Sequence, residues 1–357
     1  MTMSIRRPSA VPLLVIAVWM GLYVYFYLLL GKKNWSTKQK SVPNRRLCFY
    51  NETADNLRWN LPNVPKHSLQ NDSLEPLSVE IMQHFTLLNK TLCQGFLILI
   101  LTPIHNSEDD MERYLNLIKS LDYPRHLLSV SFGEDGSQDK TFSKALIVAE
   151  QLKALGIRRV DVHHFNITGQ VRDSWLNEHS YAKQLQRRSH LAKARNMLLE
   201  AALKDEDYVL WLDSDIKIVP PDLIQQMLHA NKDVVSASCL FKDRSGRLRI
   251  YDKNTWRETV ESLQKQERFP KNQLVVEGYG PSLKIYLPHL RGEGKRAVPI
   301  DGVGGCSLLV KADCHRNRLR FPETLYKRHI ETEGLAKMAA DMGYSVYGLP
   351  FVNVFHS

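Results

Sequence analysis

Asp213 and Asp215 stand two residues apart where an apolar run gives out, in Tyr208-Val-Leu-Trp-Leu-Asp213-Ser-Asp215-Ile216. Extended backbone puts residues i and i+2 on one face. Both carboxylates therefore point the same way from the end of a buried strand, and Pro220-Pro221 then opens a helix. Open α/β sheets bind ligands outside the carboxyl ends of their strands. Two hard oxygen donors at such an edge suit Mg²⁺ or Mn²⁺ carrying a diphosphate. Paired Asp also occur in solvated loops, so the strand before the pair and the stop after it are what give it meaning.

Other side chains invite chemistry at lower specificity. A helix is predicted over 187–203; at 100° per residue, Arg188 and Arg195 fall within the arc of Leu191, Ala192, Leu198, Leu199, Ala202 and Leu203. A guanidinium on a packing face needs an anion. That anion is either an internal carboxylate or the phosphates of a nucleotide, which Arg grips with two parallel bonds. Asp135 lies in the turn Gly133-Glu-Asp135-Gly-Ser137, where such folds meet a base or ribose, although Asp-Gly-Ser is also simply a good turn.

Asp301 sits at the mouth of a glycine-rich turn, Asp301-Gly-Val-Gly-Gly-Cys306, that enters an apolar strand and admits close approach of a ligand to backbone. The turn is neither a Walker nor a Rossmann fingerprint, because no Gly-Lys-Ser/Thr occurs and no helix follows directly. His329-Ile-Glu331-Thr-Glu333-Gly334 precedes a short helix and lacks zinc-protease spacing, and acidic residues also suit a helix start. Asp301, Glu331 and Glu333 are candidates to orient or deprotonate an acceptor hydroxyl, and physics does not rank them. His356 by itself reads as a frayed end.

The elements that must position these groups follow from periodicity. Strands are expected over 95–101, 127–132, 159–164, 208–212, 233–237 and 307–310, with one or two more over 345–355. Helices are expected from Ser107 to about Leu121, over 141–155, 187–203 and 221–230, from about Thr255 to Gln266, and after Gly334 to about Met342. Alternation of strand and helix argues a doubly wound α/β sheet with right-handed crossovers. Hydrophobic content of 43% and charged content of 24% are ordinary globular values and decide little.

Ahead of this body, Val11 to Leu30 is uncharged and long enough to span a bilayer. The expected organisation is a tail over 1–10, a transmembrane signal anchor over 11–30, a stem over 31–92 and a catalytic domain over 93–357. Basic residues crowd after the span and argue for a cytosolic body. Sequons at Asn34, Asn51, Asn71, Asn89 and Asn166 argue for a lumenal one, and the clustering of four of them just past the span favours that side. Five cysteines are odd in number and lack zinc spacing, so in an oxidising lumen at least one thiol stays free. The formal charge of +10 fits an anionic substrate, an anionic membrane surface or merely a basic stem.

Taken together, Leu191-Ala-Lys-Ala-Arg195-Asn196, Trp211-Leu-Asp213-Ser-Asp215, Asp301-Gly-Val-Gly-Gly305, His329-Ile-Glu-Thr-Glu-Gly334 and Gly348-Leu-Pro350 to His356 resemble glycosyltransferase family 62, the fungal Golgi mannan-polymerase subunits. The resemblance covers about residues 95 to 356. It implies the type A glycosyltransferase fold, single-pass anchoring in the Golgi, hetero-complexes with related subunits, and retaining α-1,6 transfer of mannose from GDP-mannose to a glycan acceptor; it gives no sign of nucleic-acid binding. By position it implies Asp215 and His356 as ligands of Mn²⁺, Asp213 on the metal or the ribose, Asp135 at the base and ribose, and Arg195 on the phosphate side, while Arg188 remains a phosphate candidate from its place on the helix face alone.

Overall fold

The computed structural model describes residues 73–74, 95–167 and 181–356. The expected tail and membrane anchor lie outside these residues, as do Asn34, Asn51, Asn71, Asn89, Cys48 and Cys93. Among the described residues no helix is long and apolar enough to cross a membrane.

The first half alternates as expected: β1 (Ser73–Leu74), β2 (Ile98–Ile104), α1 (Met111–Ser120), β3 (Leu128–Asp135), α2 (Thr141–Ala154), β4 (Arg159–Phe165), α3 (Tyr181–Ala202) and β5 (Tyr208–Leu212). After β5 come β6 (Ile216–Ile218), α4 (Leu223–His229), β7 (Val234–Lys242), β8 (Leu248–Ile250), β9 (Trp256–Arg257), α5 (Val260–Glu267) and β10 (Ile285–Tyr286). The chain closes with β11 (Val298–Pro299), β12 (Ser307–Lys311), α6 (Ala312–Arg316), α7 (Glu331–Asp341) and β13 (Val346–His356). β1 falls within the expected stem and pairs with β8.

Strands β4, β3, β2 and β5 lie side by side and parallel. β2 and β5 are largely apolar on both faces because helices cover both, whereas β3 sets buried Ser129 and Ser131 on one face and β4 carries Arg159, Asp161, His163 and His164. Ile98, Ile100, Leu210 and Leu212 pack with α1, α2 and α4, whereas Leu99, Leu101, Val209 and Trp211 pack with α3, α6 and α7. The expected doubly wound sheet holds only this far. β12 enters antiparallel between β5 and β7, so the sheet is mixed. The long excursion from β7 to β12 leaves and re-enters the sheet at the same end, so β12 runs opposite to β7, whereas a helical crossover would carry the chain back to the other end.

One strand occupies the tail, and its pairing changes along its length. β13 runs parallel to β7 from Val346 to Leu349, shifts register, and resumes opposite Ser238 to Leu240. Its last residues turn onto β6, where His356 lies opposite Ile216. A residue 141 positions downstream thus arrives beside Asp215.

Candidate active site

The turn after β5 is held from below. The Asp213 N–H donates to the Cys306 carbonyl at 3.4 Å, and the Ile216 N–H donates back to the Asp213 carbonyl at 3.4 Å. Asp213 Oδ1 accepts from Arg195 at 3.0 Å, and Arg195 Nε donates to Glu331 Oε1 at 2.9 Å. The guanidinium is buried, with its carbon 5.5 Å from the centre of Trp211 and 5.6 Å from that of Phe321. Of the two alternatives for the cation on the packing face, Arg195 has the internal carboxylates, one of them Asp213 of the Asp-x-Asp and the other Glu331. Burial pushes the Asp213 carboxyl up to about 6, with Arg195 opposing and Asp215 adding to the rise.

Asp215 Oδ2 lies 2.7 Å from His356 Nε2. The other Asp215 oxygen, Oδ1, is buried without a hydrogen-bond partner, and so is NH1 of Arg195. Buried polar atoms are nearly always paired, so the acceptor on Asp215 and the donor on Arg195 are chemically able to meet a cation and an anion respectively. His356 is also stacked on Tyr251, with ring centres 3.4 Å apart.

Glu331 reaches Arg195 from a backbone with φ of 57°, a left-handed conformation that costs a non-glycine residue of order 1–3 kcal/mol and concentrates at functional sites. Asp252 was not among the sequence candidates. It is buried, accepts from Thr255 Oγ1 at 2.7 Å and the Asn254 N–H at 2.8 Å, and its carboxyl is pushed up by burial. It follows a three-residue strand without periodicity, so the sequence carries no local signal for it.

The glycine-rich turn is shaped by side chains of this chain. A Cβ on Gly302 would overlap the Trp256 ring, one on Gly304 the Asp252 carboxylate, and one on Gly305 the Arg195 guanidinium. The expected close approach of a ligand to this backbone gives way to close approach by Trp256, Asp252 and Arg195. Asp301 is half-buried and accepts from the Glu258 N–H at 2.9 Å, which places it at the loop before α5.

Glu333 and Arg188 form a second buried pair, 2.7 Å apart, with Trp256 Nε1 donating to Glu333 at 2.9 Å. Arg188 also donates to Asn254 at 3.1 Å. Here the internal carboxylate is what the packing-face guanidinium finds, and both Glu333 oxygens are already taken. Asp135 ends β3 at the same sheet edge as Asp213, buried against His190 and the Ile167 N–H. Cys239, Cys306 and Cys314 are free and buried.

Asp213 and Glu331 share one buried guanidinium, and two further carboxylates lie beside that pair, Asp215 next to Asp213 and Asp252 next to Glu331. That excess of negative charge, with an imidazole beside it, suits a divalent cation. No three His, Cys, Asp or Glu side chains among the described residues converge to hold an ion unaided.

The family model described as Anp1 matches residues 82–324. The chain is 32% identical over 371 residues to mannan polymerase complex subunit MNN9 of Candida albicans, covering 98% of this chain and 96% of that protein. It is 36% identical over 276 residues to mannan polymerase complex subunit mnn9 of Schizosaccharomyces pombe, covering 72% of this chain and 79% of the other. Among solved structures, the mannosyltransferase PcManGT from Pyrobaculum calidifontis, in complex with GDP-Man and Mn²⁺, is 17% identical with a TM-score of 0.46, over 78% of this chain and 63% of that one. The Asp-x-Asp turn, the glycine-rich turn and the helix opening at Glu331 all lie within or just beyond the matched stretch, and the chain belongs to the Anp1 family of fungal mannan-polymerase subunits.

Proposed function

We propose that this chain is a metal-dependent, retaining glycosyltransferase with the type A fold, which moves mannose from GDP-mannose to a mannan or N-glycan outer-chain acceptor through an α-1,6 linkage. The observation that carries this reading is the meeting of Asp213, Asp215 and His356 at one sheet edge, with Asp215 Oδ1 and Arg195 NH1 both unpartnered there. Asp215 and His356 would hold Mn²⁺ or Mg²⁺, and Asp213, paired with Arg195, would bind the ribose or the same ion. When bound, such an ion draws off the charge that builds on a departing diphosphate.

The chain's own groups do the rest by position. Arg195 holds the Asp213 and Glu331 carboxylates in place, and its free NH1 is the donor available to a phosphate oxygen. Asp301 is the candidate for orienting the acceptor hydroxyl, since Glu331 and Glu333 are buried in ion pairs and Asp301 keeps solvent exposure. Asp135 stands at the strand end where a ribose or base would lie.

The same reading places the chain in the Golgi membrane as a single-pass protein with a lumenal body, resting on the uncharged run Val11 to Leu30 and the sequons. Asn166 is exposed, as a glycan acceptor must be. Its partners are related transferase subunits, because the relatives are named as subunits of mannan polymerase complexes. A second reading, a subunit that contributes the fold and little turnover, draws on those names.

Asp215→Asn separates the two. With GDP-mannose, Mn²⁺ and mannobiose, the variant should lose transfer and keep its circular dichroism and thermal midpoint. Full transfer by the variant would remove the metal role, and donor binding without turnover by the unaltered chain would establish the second reading. Running the assay across a panel of nucleotide sugars fixes the donor.

A further inference from the structure

Tyr251 and His356 lie ring on ring, with centres 3.4 Å apart and planes 13° from parallel. The two arrive from different directions. Tyr251 follows β8 directly, and its N–H donates to the Cys239 carbonyl of β7 at 3.0 Å. Phe241 meets its ring edge-on, with centres 6.2 Å apart. The tyrosine is therefore anchored to the strand along which β13 runs, not to the strand end that it covers.

His356 is less well placed by its own backbone. It sits immediately after a shift of register between β13 and β6, where ladder geometry no longer dictates the side-chain direction. Its imidazole is nevertheless only 10% exposed and turned edge-on to Asp215. The flat contact with Tyr251 supplies what the backbone does not: it fixes the plane of the imidazole, and with it the direction of Nε2. The Tyr251 residue itself remains 43% exposed, so the ring contributes little to the core.

We propose that Tyr251 is the positioning residue for His356, setting the imidazole plane so that Nε2 is presented on the Asp215 side of the site. The proposal rests on the reading of Asp215 and His356 as ligands of a divalent ion. Groups that orient a metal-binding imidazole from outside the ligand shell usually act by hydrogen bonding, and their loss lowers metal affinity by roughly 10- to 100-fold. Here the orienting contact is a stacked ring, so the phenolic hydroxyl is dispensable.

The test is a Mn²⁺ titration of the full chain, with and without GDP, read by the electron paramagnetic resonance of the free ion. Tyr251→Leu should weaken Mn²⁺ by about 10-fold and keep the thermal midpoint, whereas Tyr251→Phe should bind as the unaltered chain does. Tyr251→Gln also removes the ring and gives the same reading if the leucine variant aggregates. His356→Ala is the reference. If His356→Ala weakens binding and the ring-less variants do not, the positioning role is overturned and the metal reading stands. If His356→Ala binds normally, the metal reading falls and takes the proposal with it. If Tyr251→Phe is as weak as Tyr251→Leu, the hydroxyl is the active group and the stacking account is overturned.

Discussion

The Arg195 guanidinium lies 3.0 Å from the Asp213 carboxylate, reaching from the packing face of a helix to the end of the strand that follows it. Because Arg195 also pairs with Glu331, one buried cation holds two carboxylates from distant parts of the chain. Removing it strands both. Arg195→Met should lower stability by about 3–5 kcal/mol, the usual cost of breaking a buried pair by deleting one partner. Arg195→Lys should recover only part of this, since an ammonium lacks the planar fork that serves two directions. Urea unfolding midpoints of the three proteins check the order.

The Arg188–Glu333 pair predicts a different phenotype. Glu333→Gln keeps the size of the side chain but leaves the buried Arg188 without its counter-charge. Stability should fall by about 3–5 kcal/mol, while the Mn²⁺ affinity of the folded fraction stays within twofold of the unaltered chain. A large loss of metal binding at unchanged stability would place Glu333 at the site after all.

Two glycines should respond unequally to alanine. Gly294 has φ of 67° and open space around its missing Cβ, so Gly294→Ala should cost about 1–2 kcal/mol through the backbone alone. Gly304 has no such dihedral, but its Cβ would overlap the Asp252 carboxylate. Gly304→Ala should cost more than Gly294→Ala and should impair nucleotide binding as well, measurable by calorimetry on both variants.

His315 makes stability depend on pH. It is fully buried, with Nδ1 at 2.9 Å from the Leu319 carbonyl and Nε2 accepting from Trp211 at 3.4 Å, an arrangement that requires the neutral ring. Burial, more than any neighbour, pulls its pKa down to about 4. The unfolded chain takes up this proton near 6.5, so the unfolded state binds more protons between roughly pH 6.5 and 4, and stability falls as pH drops through that window. The full effect is roughly 3 kcal/mol. In His315→Gln the slope of thermal midpoint against pH between 7 and 5 should flatten; an unchanged slope would assign the acid sensitivity to other groups.

Much of this architecture is legible from residue order. The runs at 95–101 and 208–212 are apolar on both faces, as a strand covered by helices on both sides tolerates, and 127–132, in which Ser129 and Ser131 alternate with apolar residues, joins them as an adjacent parallel strand. Arg188 and Arg195 declared themselves by standing on an apolar arc, and both are buried against carboxylates. Which carboxylate each one meets was not legible, because Glu331 and Glu333 lie more than 130 residues away and differ by two positions.

Helix boundaries show the same limit. α3 begins at Tyr181, six residues before the expected start, since Gln184 and Arg187 break no rule of helix formation and offer no cap to mark an end. The antiparallel insertion of β12 could not be read either. Its sequence, Ser-Leu-Leu-Val-Lys, suits either direction, and pairing order depends on a loop of more than sixty residues whose path composition does not specify. Asp252 was hidden for a related reason: its neighbours are assembled by that same excursion.

The turn at 302–305 behaves as a cast taken from Trp256, Asp252 and Arg195. A cast and its original can be altered only together. Gly304→Ala in a chain that also carries Asp252→Ala removes the overlap at its source, so the double variant should fold better than Gly304→Ala alone. Substitutions in this turn are thus tolerated in matched pairs, and the history of residues 302, 304 and 305 is tied to that of three side chains lying far from them in the chain.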